Sequence, residues 1–138
     1  MPALRSINST AKLASMRQLH AAMTHFRKGN FDCAITLASA AEGILPATEK
    51  EHTFKKMKDL AARLPKSEGA SNNINAVSVW LKHGKVDGKA VAALTVTELE
   101  VIAMVTRAVS KYAAVYGEQT PEMAVFVNRA IDRLSSVE

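Results

Sequence analysis

TELEVIAMVTRAVSKYAAVYG, Thr97 to Gly117, is the stretch whose reading decides the fold. Thr97 and Glu100 have the spacing of a capping box, in which each residue serves a backbone N–H that the first helical turn leaves unpaired. Leu99, Ile102, Thr106, Val109, Ala113 and Tyr116 then recur at three- and four-residue steps up to Gly117, a helix stop. Val101, Val105 and Ala108 add a second apolar strip, so the spacing predicts a helix with neighbours on two sides.

Downstream, Thr120 caps a further helix with Pro121 at its first position, and Met123, Phe126, Val127, Ala130, Ile131 and Leu134 are expected to face inward. Upstream, NNINAVSVWLKHGKVDG, Asn72 to Gly88, forms a hinge that carries the only tryptophan. Ser71 or Asn72 can cap a short helix running through Trp80 toward His83, with Ile74, Val77, Trp80 and Leu81 on its apolar side. As the one large aromatic of that helix, Trp80 is expected to be mostly buried beneath the loop that follows. That loop, GKVDGKAVAAL from Gly84 to Leu94, is punctuated by glycine; it reads as mobile, with a turn at Val86, Asp87 and Gly88.

Three more helices precede the hinge. Thr48 caps one that holds Phe54, Met57, Leu60, Ala61 and Leu64 inward and stops at Pro65, followed by a polar loop from Lys66 to Asn73. Another runs from Phe31 or Asp32 to Leu45, is apolar around much of its circumference and is expected to be the most buried. Its small residues Ala38, Ser39, Ala41 and Gly43 allow close approach, and Glu42 reads as a rim charge or a structural salt bridge. The first helix starts at Ser9 or Thr10, carries Leu13, Met16, Leu19, Met23 and Phe26 on one stripe, and stops at Gly29 and Asn30. The expected organisation is all-α: a tail over residues 1–8, then one bundle of about five or six helices over 9–138.

Composition agrees. The chain of 138 residues is 48% apolar but 5% aromatic, a balance suited to helix packing. One cysteine, Cys33, has apolar neighbours Ala34 and Ile35, which predicts a buried thiol in a reducing compartment, the cytoplasm. No signal peptide or membrane span is expected. The net charge is +5, and the densest basic cluster, Lys50 to Lys66, is interleaved with Glu49, Glu51 and Asp59, as on a solvated helix face.

Catalytic and metal constellations are incomplete. His20 and His25 stand five residues apart on a helix, about 140° around its axis, too far for one metal ion to take both easily. Glu49 and His52 have a Glu-x-x-His spacing, without the second copy that a di-metal carboxylate bundle needs. Cys33 has no adjacent base, Ser78 no nucleophile elbow, and no glycine-rich phosphate loop occurs. No metal or cofactor is expected. What the hinge does concentrate is Trp80, Lys82, His83, Lys85 and Lys89 around Gly84 and Gly88, a candidate ligand-binding set.

FRKGNFDCAITLASAAEGIL, Phe26 to Leu45, resembles the helical-hairpin opening of HEPN domains, where an aromatic and a Gly-Asn turn lead into a small-residue helix with an Ala-Glu pair. SVWLKHG, Ser78 to Gly84, falls where that family carries its functional motif. The resemblance spans about residues 10 to 116 and implies an up-and-down helical bundle that dimerises. It also implies metal-independent ribonuclease or toxin–antitoxin function. Its catalytic signature is an arginine followed, after four to six residues, by a histidine. His83 matches the histidine, but the permitted arginine positions hold Ala76, Val77 and Ser78. The expectation is therefore a non-catalytic homodimer that binds a protein partner, RNA or a nucleotide, with a His83-dependent ribonuclease as the alternative.

Overall fold

The computed structural model describes residues 3–47 and 74–136. The helix predicted from Thr48 to Leu64, its polar loop and the Glu49 and His52 pair lie outside the described residues, as do the cap positions Ser71 and Asn72. The described chain is all-α apart from one small hairpin, with five helices: α1 (Ala11–Arg27), α2 (Phe31–Ile44), α3 (Ile74–His83), α4 (Glu98–Tyr116) and α5 (Pro121–Ser135). Between α3 and α4, β1 (Lys85–Val86) pairs with β2 (Lys89–Ala90).

Three helices, α1, α4 and α5, start at a side-chain cap. The Thr10 hydroxyl accepts the Leu13 N–H at 3.1 Å, and Thr120 accepts that of Met123 at 3.3 Å ahead of Pro121. At α4 the capping box is complete: Glu100 N–H donates to the Thr97 hydroxyl at 3.2 Å, and Thr97 N–H to the Glu100 carboxylate at 3.1 Å. Gly117 ends α4 in the left-handed region at φ 71°, its N–H bonded to the Ala113 carbonyl at 2.8 Å.

α4 is the axis of the packing. From Glu100 to Ser110 every residue but Arg107 is buried, and at 100° per residue such a run covers the whole circumference. The helix therefore has core on all sides. α1 and α2 form a hairpin against it, Leu19, Ala22 and Met23 meeting Ala34, Ile35, Ala38 and Ala41 in one cluster with Val101, Met104, Val105 and Ala108. α5 closes the far side with Met123, Phe126, Ala130 and Leu134 at three- and four-residue steps. Thr120, its cap, also meets His20 Nε2 of α1 at 2.8 Å, and Arg133 near its end donates twice to Glu98 at the start of α4.

Three expectations are corrected here. α2 is not the most buried helix: Cys33, Thr36, Gly43 and Ile44 face outward, because α1, α3 and α4 all meet it from its other side. Cys33 is accordingly exposed rather than a core thiol; it sits one 100° step from buried Ala34, which is enough to leave the interface. Ile131 is 40% exposed for the same reason, lying one step off the stripe defined by Phe126, Ala130 and Leu134.

Arg107 interrupts the buried run because it meets Glu42. Its guanidinium grips the Glu42 carboxylate through Nε and Nη2, and Nη2 also donates to Asn75 Oδ1 at 2.8 Å, joining α4 to α2 and to the first turn of α3. Lys111, one turn on, donates to the Glu42 carbonyl at 3.0 Å, and Ser39 and Ser78 hydroxyls meet at 2.5 Å between α2 and α3. Glu42 is thus the structural salt bridge of the two readings offered for it. The paired side chains are 17% and 23% exposed, so removing one partner strands a largely, though not fully, desolvated charge. Arg107→Ala should lower stability by about 2 to 3 kcal/mol, below the roughly 3 to 5 of a fully buried pair. Urea unfolding of both single variants and the double variant with Glu42→Ala should show coupling above about 0.5 kcal/mol; additive losses would contradict this role.

Candidate functional site

The sequence-predicted set sits on the end of α3 and the hairpin that follows it. Val77 and Ser78 turn into the core, Leu81 packs against it, and Val79 is left 47% exposed. Lys82 and His83 occupy the last turn, exposed, where the helix carbonyls favour positive charge. Gly84, at φ 68°, donates to the Trp80 carbonyl at 2.7 Å and turns the chain out of the helix.

The stretch expected to be a mobile loop is a tight β-hairpin instead. Asp87 and Gly88 have φ of 50° and 77°, and two successive positive φ values make the two-residue turn whose twist suits paired strands. Lys85 pairs with Ala90 and Val86 with Lys89. The turn at Val86, Asp87 and Gly88 is where the dipeptide Asp-Gly placed it.

Trp80 fastens this hairpin to the helix. Its indole N–H donates to the Val91 carbonyl at 2.7 Å, while the Val91 N–H donates to Gly84 at 2.9 Å, so both ends of the hairpin are tied at its base. Most of the residue is buried, as expected, with the remainder left open at the edge of a two-stranded ribbon. Its polar edge is spent on the backbone, which makes Trp80 the support of the site.

Lys82, His83, Lys85 and Lys89 are all exposed, and among the described residues none makes a hydrogen bond or an ion pair. From Asn75 through Thr97 the only acidic residue is Asp87, so the projection carries a net positive charge. Lys85 and Lys89 do not converge. Lys85 and Lys89 belong to adjacent, not opposed, pairs of the ribbon, so they project from its two faces. The arrangement can meet phosphates around a finger.

His83 has no arginine delivered to it by the packing among the described helices. Arg107 binds the first turn of α3 at Asn75, eight residues from His83 and thus about 12 Å along the axis. The other histidines serve local roles: His20 meets Thr120, and His25 Nδ1 meets the Asn30 side chain at 3.3 Å. Among the described residues no three His, Cys, Asp or Glu side chains are grouped to hold a metal ion, and no helix is long and apolar enough to cross a membrane.

Sequence reading missed the anchoring of this site through Arg107. A signal was present, because one arginine inside VIAMVTRAVS must either reach solvent or find a carboxylate. Trp80→Phe, which keeps the aromatic body and deletes the indole N–H, should cost about 1 kcal/mol in urea unfolding. Gly88→Ala should cost roughly 1 to 2 kcal/mol by forcing a Cβ into the left-handed region. Unchanged stability in both would mean the hairpin is not held as described. No family model, curated protein or solved structure matches the chain.

Proposed function

We propose that the chain is a non-catalytic helical module that binds the phosphate backbone of single-stranded RNA through the Lys82–Lys89 finger. The observation that carries this reading is the set of three exposed, unpaired lysines, Lys82 in the last turn of α3 and Lys85 and Lys89 on the hairpin tied to it, in a stretch whose only acid is Asp87. A projecting ribbon with charge on both faces suits an extended polyanion, which can contact it from more than one side. His83 contributes a ring edge beside the lysines and no catalysis, since a developing phosphorane charge calls for a planar cation that nothing described brings near it.

Anisotropy of a labelled single-stranded RNA tests this. Three neutralised phosphates give a log–log salt slope of about −2, and the triple variant Lys82→Gln, Lys85→Gln, Lys89→Gln should flatten it toward zero. Wild-type protein and His83→Ala should both leave the RNA intact. Metal-independent cleavage by the wild type that is lost in His83→Ala would replace this reading with a HEPN-type ribonuclease, and absent binding would leave a protein partner as the occupant of the finger.

A homodimer is the assembly we propose for the chain. Supporting it are Ile44 and Val79, 44% and 47% exposed on α2 and α3, whereas the two-sided apolar character of α4 is satisfied within the chain and adds nothing to it. Light scattering should give twice the 14.9 kDa chain mass at micromolar concentration; the single-chain mass throughout would exclude the dimer.

A further inference from the structure

A groove between α1, α4 and α5 has a chemistry that neither the core nor the hairpin accounts for. It offers about 460 Å³, inside the roughly 300 to 1,000 Å³ range of small-molecule sites. Its floor is apolar. Ile102 and Phe126 are nearly buried there, the Phe26 ring meets Phe126 edge-on at 5.4 Å, and Val125 on the wall is 48% exposed.

The rim carries three arginines and two glutamates. Glu98 is taken up by Arg133, which donates to it at 3.1 and 3.3 Å, and Glu122 lies 3.7 Å from His20. Arg27 reaches the hydroxyl of Thr24 on its own helix at 3.2 Å, and Arg129 makes no hydrogen bond or ion pair among the described residues. Two guanidinium groups therefore stand beside an apolar floor without a carboxylate.

We propose that this groove binds a small amphipathic monocarboxylate, an unbranched acyl chain of medium length. The chain lies over Phe26, Ile102, Val125 and Phe126 and removes their apolar surface from water. The carboxylate accepts from Arg129 and Arg27, whose planar forks match its two oxygens. One negative charge is what the rim has room for: with Glu98 taken up by Arg133, the charges left are Arg27, Arg129 and the carboxylate of Glu122, which repels a dianion such as a phosphate monoester or an acidic peptide. No residue of the groove lies on α3 or the hairpin, so this site is independent of the RNA-binding finger.

Isothermal titration of the full chain with decanoate below its micelle concentration, with decanol and decyltrimethylammonium as comparisons, tests the proposal. Saturable one-to-one binding of decanoate is expected, with decanol weaker by roughly ten- to a hundredfold and no binding of the cation. The variant Arg27→Gln, Arg129→Gln should bring decanoate down to the decanol level, and Val125→Glu should remove both; circular dichroism confirms that each stays helical. Arg129→Gln alone, at an exposed position, makes the same point with a smaller drop should the double variant lose helicity. The lysine-to-glutamine triple variant of the finger should bind decanoate like the wild type. Absent saturable binding, equal affinity for decanol and decanoate, or affinity unchanged by the arginine and Val125 variants would overturn the assignment.

Discussion

Burial of α4 around its whole circumference is the constraint on which the rest of the structure depends. A helix that is apolar on every side is stable only if neighbours cover every side, and the α1–α2 hairpin and α5 are positioned by that demand. Hydrophobic burial, however, is nearly indifferent to rotation and sliding. What specifies the arrangement is the one break in the run, Arg107, whose forked contact with Glu42 and Asn75 leaves few ways for α2 and α3 to sit on α4.

The consequences run outward along α3. Its first turn is held by Arg107, its middle by Val77 in the core and Ser78 against Ser39, and its last turn is free to carry charge into solvent. Trp80 then transmits the position of the helix to the hairpin through the Val91 carbonyl, so a ribbon of only two residues per strand has a fixed base. Isolated hairpins of this size are marginal in water, and a tertiary hydrogen bond at the base supplies what the ladder cannot. The basic tip is thus displayed on a scaffold whose strength lies elsewhere, the division of labour common where loops bind and cores hold.

The α4–α5 hairpin uses its surface differently. Its buried stripe leaves the flanking positions Val125 and Arg129 at the edge of a groove that α1 completes with Phe26 and Arg27. Charges along that edge are only partly matched, Arg133 by Glu98 but not Arg129. The described residues therefore present two chemically distinct surfaces, a lysine-bearing ribbon and an arginine-rimmed cavity with an apolar floor.

The sequence by itself determined the all-α class, the starts of α1, α4 and α5, the glycine stops, and the turn at Asp87 and Gly88. Each of these rests on partners within about four residues, such as Thr97 with Glu100 or Thr120 with Met123, so the information is local and readable. Reading failed where one 100° step decides a side chain's fate, as for Cys33 and Ile131, because apolar neighbours do not say which face a helix will turn inward. It also took the stretch over residues 84–94 for a mobile loop, since strands of two residues leave no alternation to detect. Only the tertiary structure paired Glu42 with Arg107 across 65 residues, gave the Trp80 indole N–H to the hairpin backbone, and put Arg27 and Arg129 on the lining of one groove. Those contacts follow from which helix faces meet, and that choice is made by the joint burial of all the helices around α4 rather than by any segment alone.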